Sequence, residues 1–252
     1  MSALRPSARS FAPAAQDEYE YEDEPYYEDE PEYVAFDAVM QDILALETEG
    51  GTYYIKGGKA YNHYYPNGYV PTSDYDLVAT PAMTKRLFGA LHHTLQSLRA
   101  PLWVEGQDTP FYIESISSKR QEYDDVRDGK VLHNVVESFL VKSDKDLITL
   151  VDVIVQDEHD SILSESQEDD GLWYMKKALF DQDVMYTFNA RKDVIDKIVA
   201  EHKNKPMKSK VRYKLNSLKH KMTKSKKRVD EMSKNKLGRR SHSRYSIFKK
   251  KY

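Results

Sequence analysis

The chain of 252 residues contains no cysteine. Disulfide cross-links and cysteine-based zinc sites are therefore excluded, and a reducing compartment fits the composition. Long apolar runs are missing as well. No stretch approaches the roughly 18 residues that a membrane-crossing helix needs. The opening MSALRPSARSFAPAAQ has no apolar centre of the secretory kind, so no signal peptide is expected there. Net charge is nearly absent too, at −3, but this small value hides a strong polarity. Residues 1–201 carry 18 Lys+Arg against 39 Asp+Glu, a net of −21, whereas residues 202–252 carry 20 against 2, a net of +18. The distribution of charge, not its sum, is the informative quantity.

Four segments follow from composition. Residues 1–32 include DEYEYEDEPYYEDEPE, which offers no aliphatic side chain to bury and reads as a disordered acidic tail. Such a tail is either a solvated segment or a mimic of nucleic acid that competes for the basic C-terminus. Residues 33–160 have the composition of a folded core, 161–202 of a helical extension, and 203–252 of a basic helix and tail.

Within the core, the apolar spacing predicts a helix over 34–47, a short strand in GTYYIKGG, a strand in DYDLVA and a helix over 84–98. PFYIESISS and VLHNVVESFLVK read as strands. DLITLVDVIVQD, rich in β-branched residues, reads as a central strand covered on both faces. Residues 172–201 return to helical spacing through Leu172, Met175 and Leu179. Val211, Leu215, Leu218 and Met222 form one narrow apolar stripe on a cationic helix, and the last residues read as a flexible basic tail. An α/β (or α+β) fold follows, with a mixed sheet flanked by helices.

The chemistry gathers around YYIKGGKAYNHYYPNGYVPTSDYDLVAT, residues 53–80. A Gly-Gly pair after a strand most often marks a turn, and Asp-x-Asp is common at strand edges. On a strand, however, residues i and i+2 share a face, so Asp74 and Asp76 aim two carboxylates at one point. Asp152 lies in the apolar run TLVDVIV, where an unpaired charge is costly unless it meets a cation. Three converging carboxylates suit Mg²⁺ or Mn²⁺, and two such ions suit an in-line displacement at phosphorus. A Gly57-Gly58 turn opening a helix would let a triphosphate approach its backbone N–H groups, and Ser73 could donate a hydroxyl to the same phosphates.

The pattern IKGGKAYN…PTSDYDL…LVDV resembles the nucleotidyltransferase superfamily with a DNA polymerase β-type palm. More narrowly it resembles the poly(A) polymerase-type proteins of large DNA viruses, over about residues 34–160. That resemblance implies a nucleotidyltransferase-type sheet followed by basic helices. It implies that Gly57, Gly58 and Ser73 hold the triphosphate, that Asp74 and Asp76 ligate both metal ions, and that Asp152 ligates the ion activating the attacking hydroxyl. An intracellular protein is expected, in host cytoplasm or virion if the chain is viral. Two departures stand out. The spacer between Gly58 and Asp74 is long and rich in tyrosine, and only about ninety residues follow the core, fewer than the further domain of complete viral poly(A) polymerases.

The expected activity is transfer of a nucleoside monophosphate from a nucleoside triphosphate, ATP foremost, to a hydroxyl such as an RNA 3′ end. A silent copy of the fold serving as a nucleic-acid-binding or structural component is the alternative, and a small enzyme modifying tRNA or protein hydroxyls is a third. RNA or DNA would meet Lys208, Lys210, Arg212, Lys219, Lys221, Lys226, Lys227, Arg228, Arg239 and Arg240, and a protein partner could supply further grip. Tyr53, Tyr54, Tyr61, Tyr64, Tyr65 and Tyr69 either pack or stack a base. Trp173 reads as a core anchor, and the adjacent His92 and His93 cannot share one helix face.

Overall fold

A computed structural model describes residues 33–127, 130–203 and 206–247, with side chains throughout except at 125–127, 130, 132 and 235–247. The acidic segment 1–32 and the side chains of Arg239 and Arg240 lie outside the described residues.

In chain order the elements are β1 (Val34–Ala35), α1 (Phe36–Ala45), β2 (Tyr53–Lys56), α2 (Gly57–Tyr64), a 3₁₀ turn (Pro66–Gly68), β3 (Tyr75–Ala79) and α3 (Pro81–Gln96). There follow β4 (Leu102–Trp103), β5 (Ser115–Arg127), β6 (Lys130–Lys142), β7 (Leu147–Val155), α4 (His159–Glu165), β8 (Ser166–Asp169), β9 (Leu172–Met175), α5 (Lys177–Glu201) and α6 (Ser209–Ile247). Seven strands form one sheet in the order β5-β6-β7-β3-β2-β9-β8, and β1 pairs with β4. The β3/β7 and β2/β9 pairs are parallel, and the other pairs of the large sheet are antiparallel. This is the mixed α/β sheet flanked by helices and followed by a basic C-terminal helix that the sequence led us to expect.

Local chemistry sets the elements that frame the sheet. Pro81 occupies the first turn of α3, where its missing N–H costs nothing, and the Thr80 hydroxyl accepts from the Met83 N–H at 3.2 Å. Met83, Leu87, Leu91 and Leu95 recur at steps of four and are buried, along with Phe36, Met40 and Leu44 of α1. Strands β2 and β3 are apolar on nearly every side chain, as befits their central places.

Three expectations need correction. Residues 172–175 are strand β9, not helix, and with β8 they extend the sheet into the stretch expected to be helical. The spacing of Leu172, Met175 and Leu179 fits a helix by coincidence, because β9 ends where α5 begins at Lys177. PFYIESISS is a strand only from Ser115, with Phe111 making an isolated bridge to Leu102. The helical backbone of α6 continues to Ile247, so the C-terminal stretch is not simply a tail.

Candidate active site

Asp74, Asp76 and Asp152 meet at one point. One carboxylate oxygen from each lies within 4.8 Å of the others, and all three residues are half-buried. The convergence follows from register. β3 and β7 run parallel as neighbours, with Asp76 directly beside Asp152. Paired residues on adjacent strands share a sheet face, and Asp74, two residues before Asp76, approaches from the same side.

Each carboxylate has a distinct support. The Ser138 hydroxyl on β6 donates to Asp152 at 2.5 Å, and Ser138 itself is buried. Asp74 accepts a long hydrogen bond, 3.3 Å, from the Thr72 hydroxyl. Asp76 is raised from the ordinary 3.8 to about 6, first by burial and then by the Asp74 charge. Lys56 opposes that rise, Asp152 adds to it, and Arg228 opposes it. An anionic cluster that pushes a carboxylic acid upward is short of positive charge, and an all-oxygen donor set of this kind fits a hard divalent cation.

Gly57 and Gly58 are required by close approach. Gly57 has φ +63°, and a Cβ there would sit 1.8 Å from the Asp76 Oδ2. A Cβ on Gly58 would sit 2.4 Å from the Thr72 hydroxyl oxygen. The pair opens α2, so the helix start is pressed against the aspartates. Ser73 lies half-buried in the turn before β3, but the hydroxyl that meets Gly58 and Asp74 belongs to Thr72. Thr72 escaped the sequence reading because only the three-dimensional turn distinguishes it from its neighbour.

Asp152 does not lie on a strand covered on both faces. Its side opens on a cleft of about 480 Å³ lined by Lys56, Asp76, Gln121, Tyr123, Ser138 and Asp152. The apolar character of β7 comes from its other face, where Ile148, Leu150, Val151 and Val153 are buried.

The tyrosine-rich spacer is largely packing. Tyr53, Tyr54, Tyr61 and Tyr65 are buried, and the Tyr61 and Tyr65 rings stack at 5.3 Å. The Tyr64 hydroxyl donates to the Met175 carbonyl at 2.6 Å, the Tyr65 hydroxyl to Asp181 at 2.6 Å, and the Tyr69 hydroxyl to Glu105. These contacts tie the spacer to β9, to α5 and to the loop after β4. Trp173 packs against the core, and His92 and His93 are exposed on α3. Lys59 of the GGKA run turns away from the aspartates to bond Asp37 and Glu105 at 2.6–2.8 Å.

The basic residues divide. Lys208, Lys210, Arg212, Lys219, Lys221, Lys226 and Lys227 are exposed. Arg228 is not offered to solvent in this way, because its guanidinium turns inward over the Tyr61 ring, 5.2 Å from the centroid. The apolar stripe of α6 continues from Met222 through Ser225, Val229 and Met232, all at least half-buried, and Arg228 stands at its edge. Extending that stripe past Met222 was the available signal for its direction.

No family model matches the chain, and no curated protein matches it. Among solved structures, the Megavirus polyadenylate synthase aligns at 11% identity and a TM-score of 0.44, over 79% of this chain. The chain spans about a third (34%) of that protein's length. JHP933 from Helicobacter pylori aligns at 13% identity and a TM-score of 0.35, over 84% of this chain and 96% of that one.

Proposed function

We propose that the chain is a divalent-metal-dependent nucleotidyltransferase. It would move a nucleoside monophosphate from a nucleoside triphosphate, ATP foremost, to a hydroxyl, with an RNA 3′ end as the expected acceptor. The carrying observation is the convergence of Asp74, Asp76 and Asp152 beside a helix start that two glycines hold clear. In this reaction the acceptor hydroxyl loses its proton to solvent as its oxygen bonds to the α-phosphorus, the bond from that phosphorus to the α–β bridging oxygen breaks, and pyrophosphate leaves. Divalent ions bound at the carboxylates would supply charge neutralisation at phosphate and a more acidic hydroxyl. Asp74 and Asp76 would hold the nucleotide-side ions. Asp152, oriented by Ser138, would serve the acceptor side. Gly57, Gly58 and the hydroxyls of Ser73 and Thr72 offer the phosphate cradle.

The exposed lysines and arginine of α6 support RNA or DNA as the macromolecular ligand, through phosphate contacts. They equally favour the second reading, a catalytically silent fold that binds nucleic acid or assembles with a partner. Incubation with labelled ATP, Mg²⁺ or Mn²⁺ and an oligoribonucleotide, beside an Asp74→Ala, Asp76→Ala variant, separates the two. Extension by the wild type alone supports the enzyme. Binding of the oligonucleotide with no labelled RNA, tRNA or protein from any nucleoside triphosphate supports the scaffold.

A further inference from the structure

Beside the aspartates stands a second charged cluster, two arginines that packing turns inward and that form no ion pair among the described residues. Arg191 on α5 and Arg228 on α6 are both half-buried, and burial depresses the pKa of each. Each also lies in the field of other groups. Asp76, Tyr61 and Asp74 favour the charge on Arg228 while Arg191 opposes it, and Asp183 favours that on Arg191. The Arg191 guanidinium donates to the buried Ser225 hydroxyl, one turn before Arg228 on α6. Among the described residues, neither guanidinium lies within ion-pair distance of a carboxylate. The Arg228 Nε and the Tyr61 hydroxyl are buried and have no hydrogen-bond partner among the described residues. Lys56 adds a third cation, 3.9 Å from Asp183 and directly across the β2/β3 pair from Asp76.

Two neighbouring guanidinium groups, partly removed from water and not paired, form a costly arrangement unless an anion completes it. The guanidinium fork is matched to phosphate oxygens. An anion arriving next to three carboxylates must carry its own cations, which favours a metal-bound polyphosphate over a simple anion. We propose that Arg191 and Arg228, with Lys56, grip the polyphosphate of the donor nucleotide, so that the C-terminal helix is one wall of the nucleotide site. This rests on the nucleotidyltransferase reading and extends it. α6 then has two roles on two faces: Lys226 and Lys227 point outward to solvent, and Arg228 points inward over Tyr61.

The test is calorimetric titration of the full chain with pyrophosphate, and with a non-hydrolysable nucleoside triphosphate, in Mg²⁺. Wild type, Arg228→Gln, Arg191→Gln and Arg228→Lys are compared, with a single-stranded RNA oligonucleotide as a separate arm. Each glutamine variant should weaken both phosphate ligands by about 10-fold or more, as expected for loss of a charge-assisted hydrogen bond. Arg228→Lys should fall between, and RNA affinity should stay within about twofold because the proposal sets neither guanidinium on the RNA backbone. Thermal unfolding checks each fold. Arg228→Lys, which keeps charge and stem, decides the matter if a glutamine variant does not fold. Unchanged phosphate affinity in the variants overturns this proposal alone. A loss confined to RNA also overturns it, because the arginines would then serve the acceptor. A wild type that binds neither phosphate ligand removes the nucleotidyltransferase reading, and this proposal with it.

Discussion

Replacing Asp76 by Asn should make the metal-free protein more stable, although it removes a residue assigned to the reaction. The Asp76 carboxyl is raised from 3.8 to about 6, chiefly by burial and by Asp74. Between those values the folded chain binds more protons than the unfolded one. Stability therefore falls as pH rises from about 4 to about 6, and the full cost persists above that window. A difference of about two pK units corresponds to about 3 kcal/mol, and residual hydration of a half-buried group brings this to about 2–3 kcal/mol. Asn fills nearly the same volume beside Gly57 without the charge. In a chelator at pH 7.5 the variant should melt higher by roughly 4–12 °C, given the usual entropy of unfolding for a chain of this size. At pH 4 the two proteins should melt together. Adding Mg²⁺ should raise the wild type, by about 2.7 kcal/mol at 100-fold excess over Kd, and leave the variant nearly still. The measurement is denaturant or thermal unfolding across pH 4–8, with chelator and with Mg²⁺. A variant less stable than wild type in chelator at pH 7.5, or a difference independent of pH, refutes the reasoning.

Other perturbations act on neighbouring parts. Gly57→Ala places a Cβ 1.8 Å from Asp76 Oδ2 at φ +63°, so it should abolish nucleotide addition and lower stability by about 1–3 kcal/mol in chemical denaturation. Ser138→Ala frees Asp152 from its 2.5 Å hydrogen bond and should weaken Mn²⁺ binding by roughly 10-fold, read by titration calorimetry, with little change in melting temperature. Lys59→Met leaves Asp37 and the buried Glu105 without their shared ammonium, so unfolding free energy should drop by about 3 kcal/mol, while Lys59→Arg should lose less. Reversing Lys219, Lys226 and Lys227 to Glu should reduce RNA affinity and flatten its dependence on salt, measured by fluorescence anisotropy, without altering pyrophosphate binding.

The aspartates were legible in the sequence because strand geometry is strict. A period of two fixes Asp74 and Asp76 on one side, and an acidic residue amid Val151, Val153 and Ile154 has few bland explanations. What could not be read was which face of β7 lay open, since a strand buried on one side and bordering a cleft on the other shows the same apolar run. The tyrosine spacer was illegible for a different reason. Its hydroxyls find partners such as Met175 and Asp181, more than a hundred residues away in sequence, and no local pattern announces such pairings. β9 was lost to coincidence, three apolar residues straddling a strand-to-helix junction at helical spacing.

Arg228 shows what counting charges leaves out of a helix like α6. A basic composition fixes the average field but not the direction of any one side chain, and direction is set by the residues that pack. Ser225, Val229 and Met232 turn toward the rest of the protein, and a residue between them follows regardless of its charge. Once α6 is seated by those contacts, Arg228 must lose part of its hydration, and it does so beside Tyr61 and within the field of Asp76 and Asp74. The same seating leaves Lys226 and Lys227 in solvent. A helix that looked from composition like one uniform cationic surface therefore has an outer face of exposed lysines and an inner side on which Arg228 lies over the Tyr61 ring.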